Sequence, residues 1–219
     1  MLSIITQNHI IEFAALVVSI LYCPILKKSK LRWLPFFLFF VLLVELAGSV
    51  LSRVYKMENA WLYNFSVPLE YIFYLYLFYL HGKKRLKHIS LIGMVIILLV
   101  SLLSFMLTGI REFNDKMLLS GQIFVIICCC LYIYQYFVDL SDLPLVKDYF
   151  FWITSGLLLF NLGNLAYVFF LPLMRDLELD RYGHTFRIIN NSFLLLLYMS
   201  FIMAMIVLKK ADKNVKRII

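Results

Sequence analysis

The sequence predicts an all-α, polytopic membrane protein, and two features of its composition support that fold class. Of the 219 residues, 63% are hydrophobic and only 16% are charged, whereas a soluble domain carries about 25% charged residues. The apolar residues are also grouped into stretches of about 20, the length at which a helix crosses a bilayer. One globular core cannot hide this much apolar surface, so we predict a single transmembrane bundle over residues 1–219.

Seven stretches are long and apolar enough to be predicted as membrane-spanning helices. In chain order they are 8–26, 34–54, 61–81, 89–109, 117–138, 149–172 and 187–208. Only short loops remain between them, so no soluble domain is expected. Tyrosines such as Tyr71 and Tyr74 occur in aromatic runs, which we interpret as anchors at the membrane interface.

Basic residues follow the odd-numbered spans more often than the even-numbered ones. After spans one, three, five and seven come Lys27, Lys28, Lys30 and Arg32; Lys83, Lys84, Arg85 and Lys87; Lys147; and Lys209, Lys210, Lys213, Lys216 and Arg217. After the even-numbered spans come Arg53 and Lys56; Arg111 and Lys116; and Arg175, Arg181 and Arg187. Because basic loops stay cytoplasmic, we predict that the N-terminus lies outside and the C-terminus inside.

The net charge of +8 is explained by these loops. Basic loops beside a membrane attract anionic lipid headgroups. We therefore predict membrane lipids as partners and no nucleic acid.

The sequence gives little evidence for a metal or cofactor site. Under the predicted topology His9 and His184 lie outside while His81 and His88 lie inside, so three histidines cannot converge on zinc. The four cysteines lie in apolar stretches, without a C-x-x-C pair, and are interpreted as packing residues. We predict no metal and no cofactor.

The most informative polar residues are Glu12, Glu45 and Glu70, which lie in the first three predicted spans. A charged carboxylate at the centre of a bilayer costs about 2.5–3.5 kcal/mol on insertion scales. These side chains are therefore expected to face protein or water, to be protonated, or to be paired.

Other polar residues extend this pattern into stripes along the outer half of the spans. Residues three, four and seven apart share one face of a helix, and Pro68 leaves the carbonyl group of Asn64 without its helical donor. We predict a polar cavity that opens outward among spans one, two, three, six and seven. The candidate ligand-binding or proton-responsive residues are Glu12, Glu45, Glu70, Asn64, Asn161, Asn164 and Asn191. The alternative is that these side chains only bond across helices, each bond contributing about 0.6 kcal/mol.

One segment, Val67-Pro68-Leu69-Glu70-Tyr71, resembles the Pro-x-Glu motif of the membrane lycopene cyclases, in which an intramembrane acid protonates a polyene. The resemblance covers about one helix and implies an enzyme that modifies isoprenoid or carotenoid lipids, with Glu70 as the acid. Those cyclases usually carry a second acid beside the first and a second motif in the other half. Here Tyr71 replaces the second acid, and no later segment contains Pro-x-Glu.

A broader resemblance covers most of the chain. Its residues are Glu45-x-x-Gly48, Trp61-Leu62-Tyr63-Asn64 through Pro68-Leu69-Glu70-Tyr71, and Phe151-Trp152-Ile153-Thr154-Ser155-Gly156 followed by Leu162-Gly163-Asn164. They look like a group of small uncharacterised seven-helix membrane proteins of Bacteroidota that are often encoded near sensor kinases. The resemblance implies a multi-pass protein of the bacterial inner membrane with a signalling association.

The leading hypothesis from the sequence is a non-enzymatic sensory or regulatory protein. A small or lipid-like ligand would enter from outside, and a signalling partner would bind at Lys83, Lys84, Arg85 and Lys87 and at the C-terminal tail, Lys209–Arg217. The lipid-modifying enzyme remains an alternative, as does a transporter, pore subunit or membrane-acting effector.

Overall fold

The computed structural model describes residues 6–107, 109–110, 112–138, 144–176 and 184–218, with side chains omitted in 171–176, 184–187 and 213–218. Every regular element in these residues is helical, which confirms the all-α prediction. The α-helices are α1 (Gln7–Leu21), α2 (Cys23–Leu26), α3 (Leu34–Arg53), α4 (Ala60–His81), α5 (Lys84–Leu107), α6 (Asp115–Val138), α7 (Tyr149–Asp176) and α8 (His184–Ile218), with a 3-10 turn at Leu145–Lys147.

Five of these helices are long and apolar enough to cross a membrane. They are α3, α5, α6, the Tyr149–Phe170 stretch of α7 and the Ile188–Asp212 stretch of α8. Large apolar side chains are exposed on their outer faces, including Leu102 at 58% and Phe169 at 70%. Exposed apolar surface of this extent is stable in lipid, so the chain has the character of a multi-pass membrane protein.

The first predicted span, 8–26, is broken into two helices. The break at Tyr22 precedes Pro24, whose ring removes one backbone donor and disfavours a continuous helix. Alone, the 15 residues of α1 rise about 22 Å, which is short of a hydrocarbon core about 30 Å thick.

The third predicted span, 61–81, matches a continuous helix of 22 residues, α4, whose hydrophobic face is interrupted by buried polar groups. Asn64 and Ser66 are 1% and 2% exposed, and Pro68 is accommodated inside the helix. The helix packs against α3, α5 and α6. Because protein covers so much of it, α4 can be less apolar than its neighbours.

Several helices extend beyond the predicted apolar stretches. Helix α5 begins at Lys84 rather than residue 89, so Lys84, Arg85 and Lys87 lie in its first turns and not in a loop. Helix α8 likewise continues to Ile218, through the predicted basic tail. Lysine and arginine are good helix formers, so a helix need not stop where its apolar residues end. The side chains of Lys213, Lys216 and Arg217 lie outside the described residues, as do Arg111 and the side chains of Arg175, Arg181 and Arg187.

Six helices are arranged in a closed ring. Helix α1 packs against α3, α3 against α4, α4 against α6, α6 against α7, α7 against α8, and α8 back against α1. Helix α5 packs on α4 and α6 from outside this ring. The ring brings α1, which is first in the sequence, beside α8, which is last.

Glycines mark the closest helix contacts. A Cβ atom on Gly156 of α7 would lie 1.8 Å from Ser200 Oγ of α8, and one on Gly121 of α6 would lie 2.5 Å from the Tyr71 ring of α4. Helices in membranes associate largely through such close packing of small residues. The contact between α7 and α8 is the most extensive in the bundle.

We predict that Gly156→Val destabilises the protein by about 1–3 kcal/mol, because the added side chain overpacks the α7–α8 contact. The measurement is the unfolding free energy in mixed detergent micelles. A second change, Ser200→Gly, should recover part of the loss, since it removes the atoms that the valine meets. Leu159→Val, on the exposed face of the same helix, is the control; an equal loss there would contradict the packing argument.

Candidate functional site

Three glutamates from three adjacent helices of the ring lie within electrostatic range of one another. Glu12 is on α1, Glu45 on α3 and Glu70 on α4, and the carboxyl group of Glu12 interacts with both of the others. The structure therefore brings together the three acids singled out in the sequence. We refer to Glu12, Glu45 and Glu70 as the carboxyl cluster.

Glu12 is the least exposed member of the carboxyl cluster. Its side chain is 2% exposed, and neither carboxyl oxygen has a hydrogen-bond partner among the described residues. A buried polar atom without a partner costs on the order of 1–3 kcal/mol, and more if the group is charged. A proton, a water molecule or a ligand group beside Glu12 would satisfy its carboxyl oxygens.

Glu45 has a protein partner, and the packing of α3 on α4 makes that contact possible. The hydroxyl group of Tyr63 donates a hydrogen bond to Glu45 Oε2 at 3.2 Å. The same hydroxyl lies where a side chain on Gly48 would begin, 2.6 Å from the Cβ position. A glycine one turn after Glu45 thus gives Tyr63 room to reach the carboxylate.

Tyrosines complete the surroundings of the carboxyl cluster. Tyr74 of α4 and Tyr198 of α8, each 4% exposed, interact electrostatically with Glu12 and Glu70. Tyr71, also 4% exposed, packs against Gly121 and lies beside Gln122. The interpretation of Tyr71 and Tyr74 as interfacial anchors is therefore wrong, because both are enclosed by neighbouring helices.

Tyr198 is a site residue that the sequence analysis missed. One sequence feature could have identified Tyr198 as a site residue. It lies in the middle of the apolar stretch of α8, away from the ends where anchoring tyrosines are found.

Further buried oxygens without a partner in the described part of the chain occur on α4, α6 and α7. Asn161 on α7 donates from Nδ2 to the carbonyl oxygen of Leu157 at 2.7 Å, but its Oδ1 atom has no donor among the described residues. The same holds for the side-chain oxygens of Ser66, Gln122 and Asn164. Nearly all buried polar groups in proteins are hydrogen-bonded, so these oxygens mark a polar interior.

Asn64, one of the predicted site residues, hydrogen-bonds to the loop between α5 and α6. Its Nδ2 atom donates to the carbonyl oxygens of Ile110 at 3.0 Å and Glu112 at 2.6 Å, and its Oδ1 atom accepts the backbone N–H of Asn114 at 2.9 Å. Asn114 in turn accepts from the N–H of Met117 and caps α6. The Asn64 amide is therefore committed to holding the loop between α5 and α6.

Asn191 lies apart from the carboxyl cluster, at the contact between α1 and α8. Its Oδ1 atom accepts a hydrogen bond from Asn8 Nδ2 at 2.8 Å, and both residues line a cavity of about 220 Å³. One turn along α1 from Glu12, His9 approaches Ser49 of α3 at 3.3 Å through Nε2. Hydrogen bonds thus join the predicted outer end of α1 to α8 on one side and to α3 on the other.

The predicted outward-opening cavity does not coincide with any of four cavities that the described residues line. These lie at the α5–α6 loop, the α1–α8 contact, the α1–α3 contact and the α4–α5 end. The carboxyl cluster lines none of these four. Glu70 is half-buried, so part of its side chain remains accessible.

The carboxyl cluster does not have the spacing of a metal site. Within the described part of the chain, no three acid, histidine or cysteine side chains are placed to hold one ion. The acids therefore interact through space without converging on a single point.

Comparison of the chain with protein-family models, with curated proteins and with solved structures finds no match.

We predict that Asn64→Ala destabilises the protein by about 1–3 kcal/mol, because it leaves the buried backbone N–H of Asn114 and two partly buried carbonyl oxygens of the α5–α6 loop without this partner. Limited proteolysis should show faster cleavage within 109–114, and detergent unfolding gives the free energy. Asn59→Ala removes one bond, to the Gly48 carbonyl oxygen, from a less buried side chain and is the matched control. Equal protease resistance in wild type and Asn64→Ala would disprove the role assigned to Asn64.

Proposed function

We propose that this chain is a sensory or regulatory protein of a bacterial inner membrane, which crosses the bilayer seven times with its N-terminus outside and its C-terminus inside. Helices α1 and α2 together cover Gln7–Leu26, about 30 Å of rise, which is enough for one crossing. The 22 residues of α4 supply another, because neighbouring helices cover its polar face.

The observation that carries the proposal is the buried, unpartnered carboxyl group of Glu12 beside Glu45 and Glu70. Ionisable residues at membrane depth are costly, so they commonly mark functional sites. Binding or loss of a proton, or of a ligand that donates hydrogen bonds, would change the repulsion among α1, α3 and α4. Asn161, Asn164 and Asn191 would orient an entering ligand.

Helix α4 would carry the signal from the carboxyl cluster to the opposite end of the bundle. It bears Glu70 and ends at His81, whose ring stacks on Phe150 of α7 with centroids 3.8 Å apart. His81 Nδ1 donates to the carbonyl oxygen of Leu77, so in the neutral ring Nε2 accepts from the hydroxyl of Tyr149 at 3.1 Å. Displacement of α4 would therefore move α7 as well.

The proposed output is the basic end of α5 together with the tail of α8, where a signalling partner would bind. Lys83, Lys84, Arg85 and Lys87 are exposed, as a protein or lipid contact requires. Exposed basic residues at a helix end also complement an acidic partner surface electrostatically.

The proton is the simplest probe of this proposal. With spin labels at Arg85→Cys and Lys210→Cys, and with Cys23 and Cys130 replaced by Ser, we expect the interlabel distance in lipid nanodiscs to shift by on the order of 1–2 Å between acidic and alkaline buffer. Glutamine mimics a neutral carboxyl group. The triple variant Glu12→Gln, Glu45→Gln, Glu70→Gln should therefore hold one distance in both buffers.

Glu58→Gln is the control for this experiment, because Glu58 is an exposed loop residue outside the carboxyl cluster. It should respond to pH as the wild type does. A triple variant that still responds, or a wild type with the same distance in both buffers, would remove the sensory role assigned to the cluster.

A second candidate function is an isoprenoid-lipid enzyme with Glu70 as the proton donor. The observation in its favour is that Glu12 and Glu45, from other helices, interact electrostatically with Glu70 and with each other. They could take the place of the second acid that the Pro-x-Glu segment lacks. A buried acid beside a second carboxyl group is a common arrangement for proton donation.

Expression in a lycopene-accumulating bacterial host separates this candidate from the sensory proposal. A cyclase would convert the red pigment to cyclic carotenoids, and Glu70→Gln would abolish the conversion. The sensory proposal predicts no new pigment from wild type, at protein levels matched by immunoblot.

A further inference from the structure

A separate cavity lies at the opposite end of the bundle from Asn191, where α4 ends and α5 begins. It has a volume of about 430 Å³ and is lined by Tyr79, Lys84, Lys87, His88 and Leu91. None of these residues belongs to the carboxyl cluster. From this cavity and its apolar continuation, we propose a binding site for one anionic phospholipid molecule.

The cavity has the charge that a phosphate group requires. Lys84 and Lys87 supply two ammonium groups, and they lie in the first turns of α5, where the helix dipole adds partial positive charge. His88 Nδ1 donates to the carbonyl oxygen of Lys84 at 2.6 Å, which holds the imidazole ring beside the lysines. A headgroup phosphate placed here would meet the ammonium donors of both lysines.

An aromatic residue orients one of the lysines. The Nζ atom of Lys87 lies 5.8 Å from the centroid of the Tyr79 ring, within the range of a cation–π contact. Tyr79 is 38% exposed, at the last turns of α4. Tyrosine and lysine together at a helix end are characteristic of the membrane interface, where the phosphate groups of lipids lie.

The basic cavity continues into an apolar strip along α5. Residues spaced by four and three positions share one face of a helix, and the face that carries Lys84 and His88 carries Leu91 next. The following residues on that face are Val95, Leu98 and Leu102, which are exposed by 48%, 49% and 58%. A headgroup in the cavity would therefore leave its acyl chain against a strip that no described helix covers.

A lipid explains this arrangement better than a soluble phosphate compound or a protein segment. A free phosphate would use the basic part alone and leave Leu91 and the strip unexplained. Lys83 and Arg85 are equally basic but do not line the cavity. The lipid site does not depend on the proposed function.

Titration of the purified protein with dioleoyl phosphatidylglycerol, followed by native mass spectrometry, tests the site. The first lipid should bind wild type in preference to dioleoyl phosphatidylcholine. Loss of both lysines in Lys84→Gln, Lys87→Gln should weaken that binding about 30-fold, from roughly fivefold per lysine. The double variant Lys83→Gln, Arg85→Gln removes the same charge from the same end and should weaken it by less than about twofold.

A second pair of changes tests the acyl contact without altering charge. Leu91→Asn with Val95→Asn should weaken binding of dioleoyl phosphatidylglycerol more than that of the dihexanoyl form, whose chains are too short to follow the strip. If the lysine double variant does not fold, Tyr79→Ala provides the charge-neutral test of the cavity, with a several-fold loss expected.

Three results would overturn the proposal. Equal weakening by the two charge-removing double variants would indicate diffuse attraction to the basic end. Equal binding of the two dioleoyl lipids by wild type would remove the requirement for an anionic headgroup. Displacement of the lipid by inorganic phosphate, with no dependence on chain length, would reduce the cavity to a site for the free anion.

Discussion

The constraint on which the bundle depends is that polar groups in an apolar environment must find partners within the protein. The hydrocarbon core of a bilayer offers no hydrogen bonds. Each buried oxygen must therefore be satisfied by another side chain, the backbone, a proton, or an enclosed water molecule or ligand. The ring of six helices meets this constraint in part. Asn64, Tyr63 and Asn114 make side-chain hydrogen bonds, whereas Glu12 and Asn161 keep oxygens without a donor among the described residues.

The distribution of polarity follows from the same constraint. Helix α4 carries the most polar sequence among the long central helices, and it is enclosed by α3, α5 and α6. Helix α5 lies outside the ring, with a mean hydropathy of 2.7 over its most apolar stretch, and it exposes leucine and valine along its length. Helix α5 packs on α4 through apolar contacts, such as that of Leu75 at Gly93.

Much of the fold could be predicted from the sequence because apolar length is a local property. The long helices begin or end close to the predicted positions, and the carboxyl cluster brings together the acids expected to meet. Partners brought together by tertiary packing could not be predicted this way. Tyr198 reaches Glu12 only because α8 closes the ring against α1, and Asn64 holds a loop nearly fifty residues further along. Pro24 is present in the first predicted span, but the position of α2 after it depends on contacts with α1 and α8, which are a tertiary property.

The shortness of α1 has a mechanical consequence for the lipid beside it. A rise of about 22 Å leaves several ångströms of hydrocarbon thickness unmatched, and each ångström costs a fraction of a kcal/mol in thinning or tilt. Helix α2, set off by the kink at Tyr22, can make up this difference by changing its angle to α1. If the chain crosses the bilayer as proposed, acyl-chain length and lateral tension would act on the helix that carries Glu12.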